Sequence, residues 1–260
     1  MRTQGEGLMC DRCDRGSSRS FAPSRRSLLL GASALLVGGI ARAKEDKKEK
    51  KKERKKPPKP QNVLSPDAAL ERLKEGNERY VEGVARRHDF RHEREALASG
   101  QNPYAAILSC ADSRIAPEYA FDSGRGDLFV CRVAGNFANA ESVASLEYAV
   151  SVLATPLILV LGHDACGAVG AAIKSLRDNT TLPGHLPSLV EGLAPAVKAV
   201  SGQGGQEGDL LANAIKQNVI DTVARLKSAT PILSAAVDQD KIKVVGGIYR
   251  LRTGKVDMVA

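Results

Sequence analysis

Two apolar runs, YAAILS at residues 104–109 and PLILVLG at 156–162, each read as a buried β-strand, and each leads directly into a cysteine or a histidine. Cys110 follows the first run. His163 follows the second, and Cys166 comes three residues later. Two thiolates and one imidazole make a zinc set that leaves a fourth position for water or an exchangeable ligand. Alone, His163 would be read as a packed core histidine; its joint placement with Cys110 and Cys166 after strand ends outweighs that reading. Asp112 and Arg114 lie just past the first strand, at a spacing that allows a bidentate ion pair. Such a pair would turn the carboxylate toward a zinc-bound hydroxide and keep it off the metal. The plainer alternative is a salt bridge that caps the loop. Beside Cys110, the pair points to hydrolytic or hydration chemistry rather than to a purely structural metal.

The rest of the chain reads as helices alternating with buried strands. Ser65-Pro66-Asp67 marks a capped helix start, followed by a periodic segment with Leu70, Leu73, Asn77 and Tyr80 on one face. A charged helix runs to Gly100. Strands are expected at 104–109, 128–132 and 157–161, and a last one in IKVVGGIY continues by a hairpin into VDMV. Helices are expected at 138–154, 167–176, 188–200 and 209–227, with a short one after Pro231. The stretch SGQGGQEGD reads as a turn or loop. This alternation implies an α/β layered domain with its site residues at carboxyl ends of strands. Cys131, inside a strand, reads as a small buried hydrophobe.

The formal charge of +8 misleads. Residues 1–43 carry +4 and residues 44–60 carry +6, which leaves −2 for the remainder. Residues 1–43 read as a twin-arginine-like export signal: Arg25-Arg26, a short apolar stretch, then Ala41-Arg42-Ala43 as a cleavage pattern. Cleavage there would remove Cys10 and Cys13 and leave Cys110, Cys131 and Cys166, an odd number that argues against a disulfide framework. Residues 44–62 read as a lysine-rich disordered linker, with a weak tether to anionic envelope surfaces as the sharper alternative. The run has no interleaved aromatics, so no nucleic-acid partner is expected. The zinc domain is placed at 63–260, and the protein in the periplasm of a bacterium.

The motifs CADSR (110–114), GDLFVCRVAGN (126–136), SLEYAV (145–150) and GHDACG (162–167) closely resemble the β-class carbonic anhydrases, and the likeness extends over roughly residues 66–257. The resemblance implies a central, mostly parallel mixed β-sheet flanked by helices and an obligate dimer, with pairing into a tetramer left open. It implies Zn2+ on Cys110, His163 and Cys166, with Asp112 and Arg114 as the orienting dyad. Gln101 matches a glutamine of the plant-like subtype that donates a hydrogen bond to a substrate oxygen. Phe129 and Tyr148 match apolar pocket residues supplied across the dimer interface, and Gly167 would bring its backbone amide near the substrate. Ala134 stands where plant-like members usually carry valine, which implies a roomier pocket.

The expected reaction is reversible hydration of CO2 to bicarbonate and a proton by zinc-bound hydroxide. The alternatives are a carbonyl sulfide or carbon disulfide hydrolase on the same scaffold, or a non-catalytic zinc-binding surface protein. No proton shuttle is evident; His88 and His92 have suitable chemistry but read as exposed helix residues.

Overall fold

The computed structural model describes residues 63–202 and 207–260, apart from the side chains of His92 and Glu207. The export signal, the lysine linker through residue 62 and the middle of the glycine-rich stretch lie outside the described residues. Five strands form one sheet in the order β2-β1-β3-β4-β5. They are β1 (Ala105–Ser109), β2 (Leu128–Arg132), β3 (Leu157–His163), β4 (Lys243–Tyr249) and β5 (Val256–Met258). The first four are parallel, and β5 returns antiparallel to β4. The sheet is therefore mixed and mostly parallel, as expected.

Every residue of β1 and β3 is buried. Their side chains alternate between two cores, as the period of two requires. Ala106, Leu108, Ile158 and Val160 face one core. Ala105, Ile107, Leu157, Leu159 and Leu161 face the other. Helices cover both faces, which explains why these strands read as continuous apolar runs rather than as alternating ones.

The helix α1 (Pro66–Val81) starts as expected: Ser65 is the N-cap, and its hydroxyl accepts from the Ala68 N–H at 3.2 Å. Its buried face is Ala69, Leu73, Gly76 and Asn77. Tyr80 is more exposed than the periodicity implies, at 37 %. A side chain at Gly76 would meet the Phe121 carbonyl, because α1 lies directly against the short helix α3 (Pro117–Ala120). Sequence periodicity does not find α3, whose four residues make barely one turn. Asn77 replaces apolar contact with three hydrogen bonds, donating to the Ala120 and Gly254 carbonyls and accepting from the Val256 N–H.

The charged helix α2 (Phe90–Leu97) begins later than His88. His88 therefore precedes the helix and is half-buried, with Nδ1 3.2 Å from Glu93 Oε1, which corrects its reading as an exposed helical residue. The His92 side chain lies outside the described residues.

The opposite layer holds α4 (Ala140–Ser151), α5 (Gly167–Arg177), α6 (Pro187–Val200), α7 (Glu207–Lys227) and α8 (Ile232–Asp238). The helix expected at 138–154 is shorter at both ends. Asn139 caps it by accepting from the Ser142 N–H, and Ala154 adopts a left-handed φ of 54° beyond its end. Ala214, Val219, Val223 and Leu226 form the buried face of α7, as expected.

Candidate active site

Three ligand-type side chains meet at one end of the two central strands. The register pairs Ser109 with Leu161, so Cys110 leaves β1 beside the last residues of β3. His163 is the final residue of β3, and Cys166 is the N-cap of α5. The intervening turn places Ala165 at a left-handed φ of 51°, which reverses the chain within three residues. Cys110, His163 and Cys166 are all buried, and their donor atoms lie within 4.8 Å of one another.

The donors fit zinc. Two sulfurs about 2.3 Å from a tetrahedral centre stand about 3.8 Å apart. Cys110 Sγ and Cys166 Sγ are 3.9 Å apart. His163 Nδ1 lies 2.8 Å from the Asp164 carbonyl oxygen, which leaves Nε2 as the other ring nitrogen. Nε2 is buried and has no hydrogen-bond partner among the described residues.

The charge balance also calls for a cation. Cys110 is pulled down to about 4, first by the hydrogen bond from Cys166 and then, against the cost of burial, by His163 and the Gly135 N–H. Cys166 is pushed up, first by its hydrogen bond to Cys110 and then by burial. One thiolate thus forms at the other's expense, and ionising both requires positive charge between them. Burial opposes a charged His163, but the neighbouring Cys110 thiolate outweighs that and the net shift is upward.

Asp112 and Arg114 form the expected pair. Arg114 Nε donates to Oδ1 at 2.9 Å and Nη2 to Oδ2 at 2.7 Å, and the Arg114 backbone N–H also reaches Oδ1 at 2.9 Å. These donors hold the Asp112 carboxyl well below the usual carboxylate range. Asp112 Oδ2 stands 3.8 Å from His163 Nε2, so the carboxylate faces the metal position.

The remaining candidates are more dispersed. Ala134 directly precedes Gly135, whose N–H donates to Cys110 Sγ at 3.2 Å. Gly167 is the exposed first residue of α5, next to Cys166. Phe129 on β2 and Tyr148 on α4 meet each other with ring centroids 6.2 Å apart. Gln101 is not part of the cluster within one chain. It lines a cleft of about 940 Å³ with Tyr80, His88, Leu97, Tyr119 and Leu128. Leu128 pairs with Ala105 at the start of β1, whereas Cys110 follows the strand's end. Five residues at about 3.3 Å each put roughly 16 Å of strand between the two.

Sequence reasoning passed over Arg132. Its guanidinium donates to the carbonyls of Cys110, Asp112 and Ile115 at 3.0, 2.7 and 3.0 Å. It thereby fixes the loop that carries one ligand and the dyad. The available signal was its position as the last residue of LFVCR, which the register sets opposite Ser109. Cys131, beside it, is half-buried against the larger core and its thiol is pushed up by burial, in line with a packing role.

Known proteins carry the same pattern. A family model described as carbonic anhydrase matches residues 105–256. Carbonic anhydrase 2 of Mycobacterium tuberculosis is 42 % identical over 193 residues, which is 74 % of this chain and 91 % of the relative. Carbonic anhydrase of Mycolicibacterium smegmatis is 37 % identical over 195 residues, covering 75 % of this chain and 93 % of the relative. Among solved structures, the β-carbonic anhydrase CcaA superposes with a TM-score of 0.57 at 29 % identity, covering 74 % of this chain and 98 % of its own. Sequence, fold and ligand geometry agree: the chain belongs to the carbonic anhydrase family, in its β class.

Proposed function

We propose that this protein catalyses the reversible hydration of carbon dioxide to bicarbonate and a proton. The observation that carries the reading is the convergence of Cys110, His163 and Cys166 beside an Asp112 carboxylate whose two oxygens are already held by Arg114. Zinc bound by the three ligands supplies Lewis acidity that brings the ionisation of water near neutral pH. Asp112 accepts a hydrogen bond from the attacking oxygen and so aims its lone pair at the substrate carbon. Arg114 occupies the carboxylate and would keep it from binding the metal itself. Ala134, with Phe129 and Tyr148 supplied across the dimer interface, forms an apolar pocket for a linear, uncharged substrate. The Gly167 N–H and the Gln101 side chain steady the oxygen on which charge develops.

Gln101 acts from a second subunit, and the site is completed in a dimer. What supports this is its position at the other end of β1 from Cys110, in an open cleft that also exposes Tyr119. Gln101 also favours the plant-like subtype. The Arg25-Arg26 and Ala41-Arg42-Ala43 patterns favour export by a twin-arginine route to a periplasm, with residues 44–62 as a spacer.

Stopped-flow hydration of CO2 by residues 44–260, with zinc measured on the same sample, tests the activity. Zinc-dependent turnover is the expected result. A zinc-loaded protein with no turnover between about pH 7 and 9 overturns the reading. Intact-mass measurement of protein recovered from the periplasm tests the signal, which fails if Arg42 or an earlier residue is retained.

A further inference from the structure

Two neighbouring residues of α7 touch both halves of the ligand cluster without belonging to it. Asn218 is buried and donates from Nδ2 to the Gly135 carbonyl at 2.8 Å. Gly135 in turn donates its N–H to Cys110 Sγ at 3.2 Å. Its backbone is shaped for that task. The Asn136 N–H closes a turn on the Val133 carbonyl at 2.9 Å, with Gly135 at φ 85°. Positive φ at the third residue of a four-residue turn is the type II requirement, and it selects glycine. A side chain there would also press on Leu193. The turn's first residue is held to β1, where the Val133 N–H donates to the Ser109 carbonyl at 3.1 Å. Asn218 holds its other end, by fixing the carbonyl on the far side of the same glycine.

The next residue, Val219, sets where that anchor stands. A Cβ on Gly162 would come within 2.7 Å of Val219 Cγ2, and one on Gly246 within 2.5 Å of Val219 Cγ1. Val219 is thus wedged between two strand glycines, and Gly162 immediately precedes His163. The helix is registered against β3 by packing and against the 133–136 turn by a hydrogen bond. Both contacts are one residue or one bond away from a ligand.

We infer that Asn218 is a positioning residue for the metal centre, acting through Gly135 to hold an N–H on the Cys110 sulfur. An N–H bonded to a thiolate stabilises its charge and fixes its lone-pair direction, as outer partners of metal ligands do. This role rests on the zinc reading above, and wild-type protein measured alongside separates the two. Asn218→Leu keeps the branched shape and removes the donor. Thr222→Val, one turn further along α7 and also buried, is the packing control.

The first readout is zinc affinity by chelator competition, and the second is the thiolate-to-metal charge-transfer band of the cobalt-substituted protein. Asn218→Leu is expected to weaken zinc at least about 10-fold and to shift the cobalt band. Thr222→Val is expected to change neither, whatever it does to thermal stability. Unchanged affinity and band in Asn218→Leu, with a stability loss matching Thr222→Val, overturn the inference and leave Asn218 a packing residue. Should Asn218→Leu fail to fold, the isosteric Asn218→Asp, which places an acceptor against the Gly135 carbonyl, is read by the same two measurements. A wild-type protein without tight zinc overturns the metal reading itself and this inference with it.

Discussion

Arg114 grips both oxygens of the Asp112 carboxylate, at 2.9 and 2.7 Å, while the same carboxylate faces His163 Nε2 at 3.8 Å. Asp112→Asn keeps the shape but weakens the acceptor, and is expected to lower kcat about 100-fold or more. Zinc content should stay at the wild-type level. Arg114→Ala frees the carboxylate to move onto the metal, and Arg114→Lys keeps the charge without the fork, so both should fall short of wild type with alanine the worse. Stopped-flow hydration with metal analysis on each sample measures all three. Wild-type turnover in Asp112→Asn would remove Asp112 from the chemistry.

The remoteness of Gln101 from Cys110 predicts complementation between subunits. Gln101→Ala alone should cost about 100-fold in kcat, as for loss of one oxyanion donor. Cys110→Ser should be inactive through loss of a metal ligand. If the proposed dimer shares its sites, random reassociation of the two variants would make half the dimers mixed, each with one intact site, and about one quarter of wild-type activity should return. No recovery after subunit exchange, verified by native mass spectrometry, would show that Gln101 does not act in trans.

Asp122 predicts how the fold responds to acid. Its side chain is only 3 % exposed, with Arg79 Nε 2.6 Å away and the Arg86 backbone N–H at 2.9 Å. Burial raises its pKa, but these donors outweigh burial and the net shift is downward. A folded pKa below the unfolded value of about 3.9 gives stability that is complete above that value. It is lost as pH falls through the folded pKa. Urea midpoints of Asp122→Asn against wild type should therefore differ most above about pH 4 and converge below it. Asp122→Ala, which strands Arg79, should cost about 3 kcal/mol at neutral pH.

The glycine wedge around Val219 predicts a coupled pair. Gly246→Ala drives a methyl to within 2.5 Å of Val219 Cγ1 and should cost about 1–3 kcal/mol. Val219→Ala opens the space, so the double variant should be more stable than the two single losses add up to, by about 1 kcal/mol. Urea unfolding of the four proteins closes the cycle. Strict additivity would mean that β4 accommodates the methyl by moving elsewhere.

Those elements whose residues announce themselves one at a time were legible in the sequence. The buried runs of β1 and β3, the Ser65 cap and the ligands Cys110, His163 and Cys166 each follow from local composition or position. Asp112 and Arg114 were legible because a short spacing on one loop forces them together. Residues that act through backbone groups were less visible. Arg132 binds three carbonyls, and carbonyls carry no side-chain identity to read. The place of His88 depends on where α2 begins, and the helix starts only after Asp89, whose carbonyl accepts from the Glu93 N–H. Gln101 lies nine positions before Cys110, but a strand lies between, and extended backbone turns sequence proximity into distance.

The ligands also impose an order of events on the newly made chain. Cys110 and Cys166 are 56 residues apart, and the stretch between them contains β2, α4 and β3. Neither end of that loop holds a metal site by itself, so a growing chain offers the ion no complete seat until β3 has paired with β1. The metal then behaves as a clasp, closing a long loop that the sheet has already brought together. It adds the most where loop closure would otherwise be undone, at the junction between the two central strands.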